Sequence, residues 1–310
     1  MSKQLATTPA KTVTEKACAK INLALHVTGR REDGYHLLDS LVVFADYGDD
    51  LILSEALRTD LEISGPFSKG LEAETDNLIL KAHRVLSDAL KTQVPPTHFH
   101  LIKNLPVSSG IGGGSADAAA ALRGLIKLRQ LEIDDVTLSM CAQKLGADVP
   151  VCLLGHTCPM QGASEIIRPI ENFTPLYIVL VNAGVKISTP SIFAELGIDA
   201  GRSAFDGLAP YDHFKPIQPH HGEHTHNHIQ WIDWLKNSRN DLQNAAMRQS
   251  NKISQTLEAI NNSEHLLFAR MSGSGATCFG LYASLDDAKN ACATIKQSNP
   301  NWWVVASQLV

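Results

Sequence analysis

Apolar residues follow two spacings in the first half of the chain, one typical of strands and one of helices. The strand-like stretches are residues 17–27, 37–47, 51–63 and 98–103. Apolar positions three and four apart predict three helices, one capped by Asp76 and the others over residues 116–128 and 135–145. Gly146 follows the third helix, as a C-cap glycine does.

The second half has the same two spacings without a regular order. Strand patterns occur at residues 176–181, on both sides of residues 271–277, and from Trp302, whereas helical patterns occur at residues 229–234 and 242–259 and after Ser284. Residues 200–227 are polar and predict a long loop. Strands and helices do not alternate strictly, so the predicted class is α+β rather than doubly wound α/β.

Composition limits the class of protein. The chain has 310 residues, 44% of them hydrophobic, which is enough core for two domains. Its net charge of −5 and its lack of a basic block exclude nucleic acid and anionic membranes as expected partners. No apolar run approaches the roughly 20 residues of a membrane span, and the first residues lack the apolar core of a secretory signal. Six scattered cysteines without a CxxC pair favour free thiols, so we expect a cytoplasmic protein.

A glycine-rich segment precedes one predicted helix. Residues 106–117 read PVSSGIGGGSAD, and glycines of this kind let backbone amides and a helix N-terminus approach a phosphate group. The segment lacks the Gly-Lys pair of a Walker loop, and Ser115 stands where a dinucleotide fingerprint needs glycine. A flexible turn is the alternative interpretation, so the loop alone leaves phosphate binding open.

Three polar residues stand out within or beside predicted elements. Lys20 and Asn22 are two apart in a strand pattern and share one face, which is also the arrangement of an ordinary solvated face. Asp148 falls on a short turn between Gly146 and Pro150, where an ordinary turn aspartate is equally expected.

Three separated motifs together resemble one superfamily. AKINL at residues 19–23, the glycine segment, and MSGSGATCF at residues 271–279 are similar to the three motifs of the galactokinase, homoserine kinase, mevalonate kinase and phosphomevalonate kinase (GHMP) superfamily. TGRREDGYH at residues 28–36 and LGADVP at residues 145–150 make the resemblance specific to the branch that phosphorylates a cytidine diphosphate derivative of methylerythritol.

The resemblance implies a two-domain GHMP kinase fold, with a ribosomal-protein-S5-like N-terminal domain at residues 1–164 and a ferredoxin-like C-terminal domain at residues 165–310. ATP and the acceptor would meet between the two domains. The implied reaction moves the γ-phosphoryl group of ATP to the 2-hydroxyl of a diphosphocytidyl methylerythritol in the non-mevalonate isoprenoid pathway.

The resemblance also implies roles for individual residues. Lys20 and Asp148 would be catalytic, with Asp148 as the base and Lys20 keeping its carboxylate charged. The expected ATP-binding residues are Pro106, Val107, Ser108, Ser109, Gly110, Ile111, Gly112, Gly113, Gly114, Ser115 and Ala116. The expected substrate-binding residues are Asn22, Tyr35, His36, Thr189 and Phe193. Mg²⁺ would accompany ATP; its ligands stay unassigned, with Ser115 a weak candidate.

Two alternatives stay open at this point. A GHMP kinase for another alcohol, such as mevalonate or homoserine, would keep the fold and lose the cytosine pocket. The histidines of residues 220–228 would instead suit a metal-handling protein. The sequence indicates a small-molecule substrate and leaves the oligomeric state open.

Overall fold

The computed structural model describes residues 11–71, 76–162, 166–167, 170, 176–202 and 227–310. Ten strands occur in these residues: β1 (Thr12–Arg30), β2 (His36–Glu55), β3 (Asp60–Ser64), β4 (Thr97–Ile102), β5 (Cys158–Gly162), β6 (Ile166–Ile167), β7 (Tyr177–Asn182), β8 (Phe268–Met271), β9 (Cys278–Tyr282) and β10 (Trp303–Gln308). The helices are α1 (Leu78–Leu90), α2 (Gly113–Arg129), α3 (Asp135–Leu145), α4 (Val149–Leu154), α5 (Thr189–Ala194), α6 (Asn227–Asn237), α7 (Gln243–Gln249), α8 (Asn251–Asn261) and α9 (Leu285–Ser298).

The first sheet is organised around β1 and β2. These two strands form a long antiparallel hairpin that joins Thr12 to Ser54 at one end and Arg30 to His36 at the other. β4 pairs with one half of β2 and β5 with the other, while β3 lies parallel to β4 and β6 pairs with β5. Helices α1 to α4 pack over this sheet through a core that contains Phe44, Phe99 and the alanines of α2.

The second sheet is antiparallel and has the order β10-β7-β9-β8. Successive side chains of a strand point to opposite faces of the sheet, and in this sheet both faces are buried. Val179 and Val181 face a core formed with α7, α8 and α9, whereas Ile178 and Leu180 face a core shared with β1, β2 and α6. The second sheet therefore lies between the first sheet and the C-terminal helices, and the α+β class is confirmed.

Some predicted elements are longer than the sequence pattern indicated, and others are divided. β1 extends the predicted strand by several residues at both ends, and β2 runs through Gly48 without a turn. The pattern at residues 242–259 forms two helices that meet at Ser250. Asn77, not Asp76, caps α1, because its side chain accepts the amide of Ile79 at 2.9 Å. The domain boundary at residue 164 stays a prediction.

Two further expectations concern membranes and metals. Among the helices of the described ranges, none has the length and apolar character that crossing a bilayer requires. The described ranges also contain no group of three His, Cys, Asp or Glu side chains able to hold a metal ion. Residues 220–226 of the histidine-rich segment lie outside the described residues.

Candidate active site

A cavity of about 1120 Å³ opens where the glycine segment, the β1–β2 turn and α5 meet. It is lined by 16 of the 18 predicted site residues: Lys20, Asn22, Tyr35, His36, Pro106, Val107, Ser108, Ser109, Gly110, Gly112, Gly113, Gly114, Ser115, Asp148, Thr189 and Phe193. Ile111 and Ala116 do not line it, because both side chains are buried in the cores beneath. The structure therefore brings together residues that are far apart in sequence.

The glycine segment passes directly into the N-terminus of α2. Gly110 and Gly112 have φ values of +75° and +66°, in the left-handed region that glycine adopts readily. Gly112 caps α2, and the helix begins at Gly113, three residues before the predicted start at Ala116. The first amides of α2 have no partner within the helix and lie at its positive dipole end, so this part of the cavity suits an anion.

A second glycine loop, residues 271–277, packs against the first. A methyl group at Gly110 would lie 2.5 Å from the carbonyl oxygen of Gly275, so only glycine permits this approach. Ser272 Oγ donates to the Gly110 carbonyl at 3.1 Å, and the amide of Thr277 donates to the Ser109 carbonyl at 3.0 Å. The two loops form a continuous seam, which we call the glycine seam, defined by residues 109–110 and 272–277.

Lys20 and Asp148 form an ion pair on the cavity wall. Lys20 Nζ donates to Asp148 Oδ2 at 2.9 Å, and the Lys20 side chain is 5% exposed whereas that of Asp148 is 35% exposed. β1 holds Lys20 against the glycine segment, because its backbone amide donates to the Ile111 carbonyl at 3.0 Å. Asp148 precedes α4, so the turn between α3 and α4 directs its carboxylate toward Lys20.

Asn22 is almost completely buried, although it was predicted to bind substrate. It is 1% exposed, and its side-chain amide donates to Ser40 Oγ at 2.7 Å. Its backbone amide donates to Ser272 Oγ at 3.1 Å. Asn22 therefore joins β1 and β2 to the glycine seam while still lining the cavity.

The aromatic end of the cavity combines the β1–β2 turn with α5. The His36 and Phe193 rings stack with their centroids 4.6 Å apart, and Tyr35 is 61% exposed beside them. Burial, and secondly the positive charge of Arg30, hold the pKa of His36 below its ordinary value of 6.5. Thr189 Oγ1 lies 2.7 Å from Ser274 Oγ, which connects α5 to the glycine seam.

A buried ionic cluster beneath the glycine segment escaped the sequence analysis. Lys103 Nζ contacts Asp49 Oδ2 and Asp117 Oδ2, each at 2.5 Å, and all three side chains are at most 5% exposed. Asp49 Oδ1 also accepts the amides of Asn104 and Leu105, so the cluster fixes the start of the glycine segment. Burial raises the pKa of Asp117 above its ordinary value, and the positive charge of Lys103 opposes this shift. Asp117 is the last residue of the glycine-rich segment at residues 106–117, and its place there was the sequence signal that could have marked it as functional.

Asn240 is a second residue that the sequence did not single out. Its side-chain amide donates to the carbonyls of Met271 and Gly273, both at 2.8 Å. These bonds hold the second glycine loop, which Asn22 also contacts through Ser272. No motif marks Asn240, because its role depends on a contact across 31 residues of sequence.

Comparisons with known proteins agree with this geometry. The family model described as GHMP kinases N terminal domain matches residues 77–156, and the one described as GHMP kinases C terminal matches residues 224–301. The first contains the glycine segment and Asp148, and the second contains residues 271–277.

Full-length relatives narrow the family further. The chain is 44% identical to the 4-diphosphocytidyl-2-C-methyl-D-erythritol kinase of Parvibaculum lavamentivorans, over 95% of this chain and 97% of the relative. It is 42% identical to the protein of the same name from Mesorhizobium japonicum, over 94% of each chain.

Solved structures support the same assignment. A crystal structure of 4-(cytidine 5'-diphospho)-2C-methyl-D-erythritol kinase matches with a TM-score of 0.70 and 29% identity, over 96% of this chain and 99% of that one. Homoserine kinase from Cytophaga hutchinsonii matches with a TM-score of 0.71 at 15% identity, over 100% of this chain and 97% of that one, which shows the shared fold alone. The chain belongs to the 4-diphosphocytidyl-2-C-methyl-D-erythritol kinase family of the GHMP kinases.

Proposed function

We propose that this protein transfers the γ-phosphoryl group of ATP to the 2-hydroxyl of 4-diphosphocytidyl-2-C-methyl-D-erythritol, giving the 2-phosphate and ADP in the non-mevalonate isoprenoid pathway. The observation that carries the proposal is the Lys20–Asp148 pair, which lines the same cavity as the glycine segment and the aromatic residues. A kinase needs these three parts together: a phosphate cradle, a proton acceptor and an acceptor pocket.

Asp148 is proposed to accept the proton of the reacting hydroxyl. Its Oδ2 is held by Lys20, whereas Oδ1 makes no hydrogen bond to any residue of the described ranges. An acceptor hydroxyl at hydrogen-bond distance from Oδ1 can pass its proton to that oxygen as the O–P bond forms. The ammonium group of Lys20 then balances negative charge at the attacking oxygen, in a position that burial keeps fixed.

The glycine segment is proposed to hold the ATP phosphates. The positive φ values at Ser108, Gly110 and Gly112 turn the backbone tightly ahead of α2. Backbone amides in such a turn and the positive end of the helix dipole attract phosphate oxygens without a Walker lysine. Gly273 and Ser274 line the same cavity from the second glycine loop.

Two residues at the start of α2 fit a Mg²⁺ ion bound with ATP. Asp117 Oδ1 is a buried carboxylate oxygen without a hydrogen-bond partner in the described residues, and Asp117 lines the cavity together with Ser115. Mg²⁺ in such sites takes one or two protein oxygens besides phosphates and water. The ion would be held by Ser115 and Asp117, and it supplies positive charge that offsets the phosphate oxygens during transfer.

Tyr35 and Phe193 are proposed to stack on the cytosine ring, with His36 hydrogen-bonded to its edge. Stacking of a base on an aromatic ring contributes about 1–3 kcal/mol. The neutral form of His36, which its lowered pKa favours, offers one donor and one acceptor nitrogen. Thr189 and Asn22 would contact the substrate nearer the reacting hydroxyl. We further propose a cytoplasmic location.

The test is ADP release by the purified protein with Mg-ATP and one acceptor at a time. 4-Diphosphocytidyl-2-C-methyl-D-erythritol should be turned over, whereas mevalonate, homoserine and galactose should not, because they lack the base. Phosphorus NMR of the product should show a new phosphomonoester on the 2-oxygen. Turnover of another acceptor in preference to the cytidylyl compound would refute the proposed substrate.

A further inference from the structure

Arg30 joins the two segments that carry the aromatic residues of the cavity. It is the last residue of β1 and pairs with His36 across the hairpin. Its guanidinium Nε donates to the Gly34 carbonyl at 3.1 Å, inside the turn that presents Tyr35. Its Nη1 donates to the Ile198 carbonyl at 3.2 Å, in the segment that follows α5.

The backbone of Arg30 adds two further bonds between the same segments. The Arg30 amide donates to the Arg202 carbonyl at 2.8 Å, and the Gly201 amide donates to the Arg30 carbonyl at 2.9 Å. Phe193 lies near the end of α5, shortly before this segment, and its ring stacks on that of His36. Arg30 therefore makes four hydrogen bonds, one inside the turn and three to the segment after α5.

We infer that Arg30 is a positioning residue for the base pocket, because its planar guanidinium binds both the β1–β2 turn, which carries Tyr35, and the segment after α5, which follows Phe193. A lysine in its place has one ammonium group and cannot present two donors in a fixed fork. Arg30 lines the cavity, and its side chain donates to Gly34 and Ile198 at the aromatic end, so we expect it to act on binding and not on phosphoryl transfer. The inference rests on the proposed function, since the pocket is the one proposed for cytosine.

The experiment compares Arg30→Met, Arg30→Lys and the control Arg31→Met. Arg31 is the adjacent residue, and its side chain makes an exposed ion pair with Asp33 in the same turn. In Arg30→Met we expect the KM for the cytidylyl substrate to rise about tenfold while kcat and the KM for ATP stay within about twofold. Arg30→Lys should give an intermediate KM, and Arg31→Met should match the wild type.

Two readouts do not depend on turnover. Amide hydrogen exchange at residues 31–36 and 198–202 should accelerate together in Arg30→Met and less in Arg30→Lys. The pKa of His36, followed by NMR, should rise in Arg30→Met and stay low in Arg30→Lys, because lysine keeps the positive charge. A merely structural arginine elsewhere in the fold would leave the pKa of His36 unchanged.

The outcomes separate this inference from the proposed function. If the wild type does not turn over the cytidylyl compound, the proposed function fails, whereas hydrogen exchange still decides the role of Arg30. An unchanged substrate KM in a folded Arg30→Met overturns the inference, as does an equal rise in the KM for ATP. If Arg30→Met does not fold, Arg30→Lys decides the role of Arg30. A substrate KM and an amide exchange rate equal to those of the wild type would overturn the inference, whereas intermediate values would support it.

Discussion

The glycine seam makes a quantitative prediction for Gly110→Ala. The new methyl carbon would lie 2.5 Å from the Gly275 carbonyl oxygen and 2.7 Å from both the Gly275 nitrogen and the Ser272 oxygen. These are backbone atoms of the opposite loop, so they cannot move aside as the end of a flexible side chain does. Gly110 also has a φ of +75°, where a Cβ is strained.

The magnitude has two parts. The left-handed backbone costs about 1–2 kcal/mol for a residue with a Cβ. Overpacking a close-packed contact costs about 1–3 kcal/mol more. We therefore expect Gly110→Ala to lower the free energy of unfolding by about 2–5 kcal/mol. Separation of the two loops should also raise the KM for ATP by about tenfold, because Gly110 lines the cavity.

Gly184→Ala is the matched control. Gly184 has almost the same φ, +74°, but a methyl group there would meet no atom within 4 Å. It should lose only the backbone contribution of about 1–2 kcal/mol and keep the wild-type KM for ATP. Urea unfolding followed by tryptophan fluorescence gives the two free energies, and initial rates give the KM. Equal destabilisation of the two variants would refute the steric argument.

Four other predictions follow from the site. Asp148→Asn should reduce kcat by at least about 100-fold with little change in ATP affinity measured by calorimetry, and normal turnover would rule out its role as base. Lys103→Met should destabilise the protein by about 3 kcal/mol in urea unfolding, because Asp49 and Asp117 lose their buried cation, whereas Lys16→Met, at an exposed pair, should cost less than about 1 kcal/mol. Phe193→Leu should raise the KM for the cytidylyl substrate and leave the KM for ATP unchanged in steady-state assays; an equal rise in both would contradict the stacking role. Burial and Arg30 lower the pKa of His36, so its ring stays neutral as the pH falls through 6.5. The substrate KM should therefore stay constant from pH 8 to pH 6.5 and rise only below pH 6.5. A rise in KM centred above pH 6.5 would contradict the proposed role of the neutral ring.

The sequence predicted most elements because their hydrophobic patterns are local. α3 runs over residues 135–145 as expected, and Ser284 caps α9 by accepting the amide of Asp287. The pattern failed around Gly48, whose neighbours Asp49 and Asp50 indicate a turn. In the structure a Cβ at Gly48 would meet the Ala17 carbonyl oxygen at 2.1 Å, so pairing with β1 explains the glycine and keeps the strand continuous.

The site was predictable only where a motif marked it. Lys20 and Asp148 are separated by 128 residues, and only their two motifs suggested that they meet. In the cluster of Asp49, Lys103 and Asp117, only Asp117 lies in a motif, and the sequence did not indicate that the three side chains are buried together, because charged side chains usually face solvent. Its burial depends on how helix α2 crosses the sheet, which local spacing does not determine.

The glycine seam also limits how the molecule can be divided. The loop proposed to hold ATP takes its shape partly from residues more than 160 positions later in the chain. An isolated N-terminal fragment would therefore contain every residue of the first loop but would lack the second glycine loop, against which the first loop packs. Chimeras that exchange C-terminal halves between relatives should succeed only when both loops come from the same parent, so the useful unit of exchange is the loop pair and not the domain.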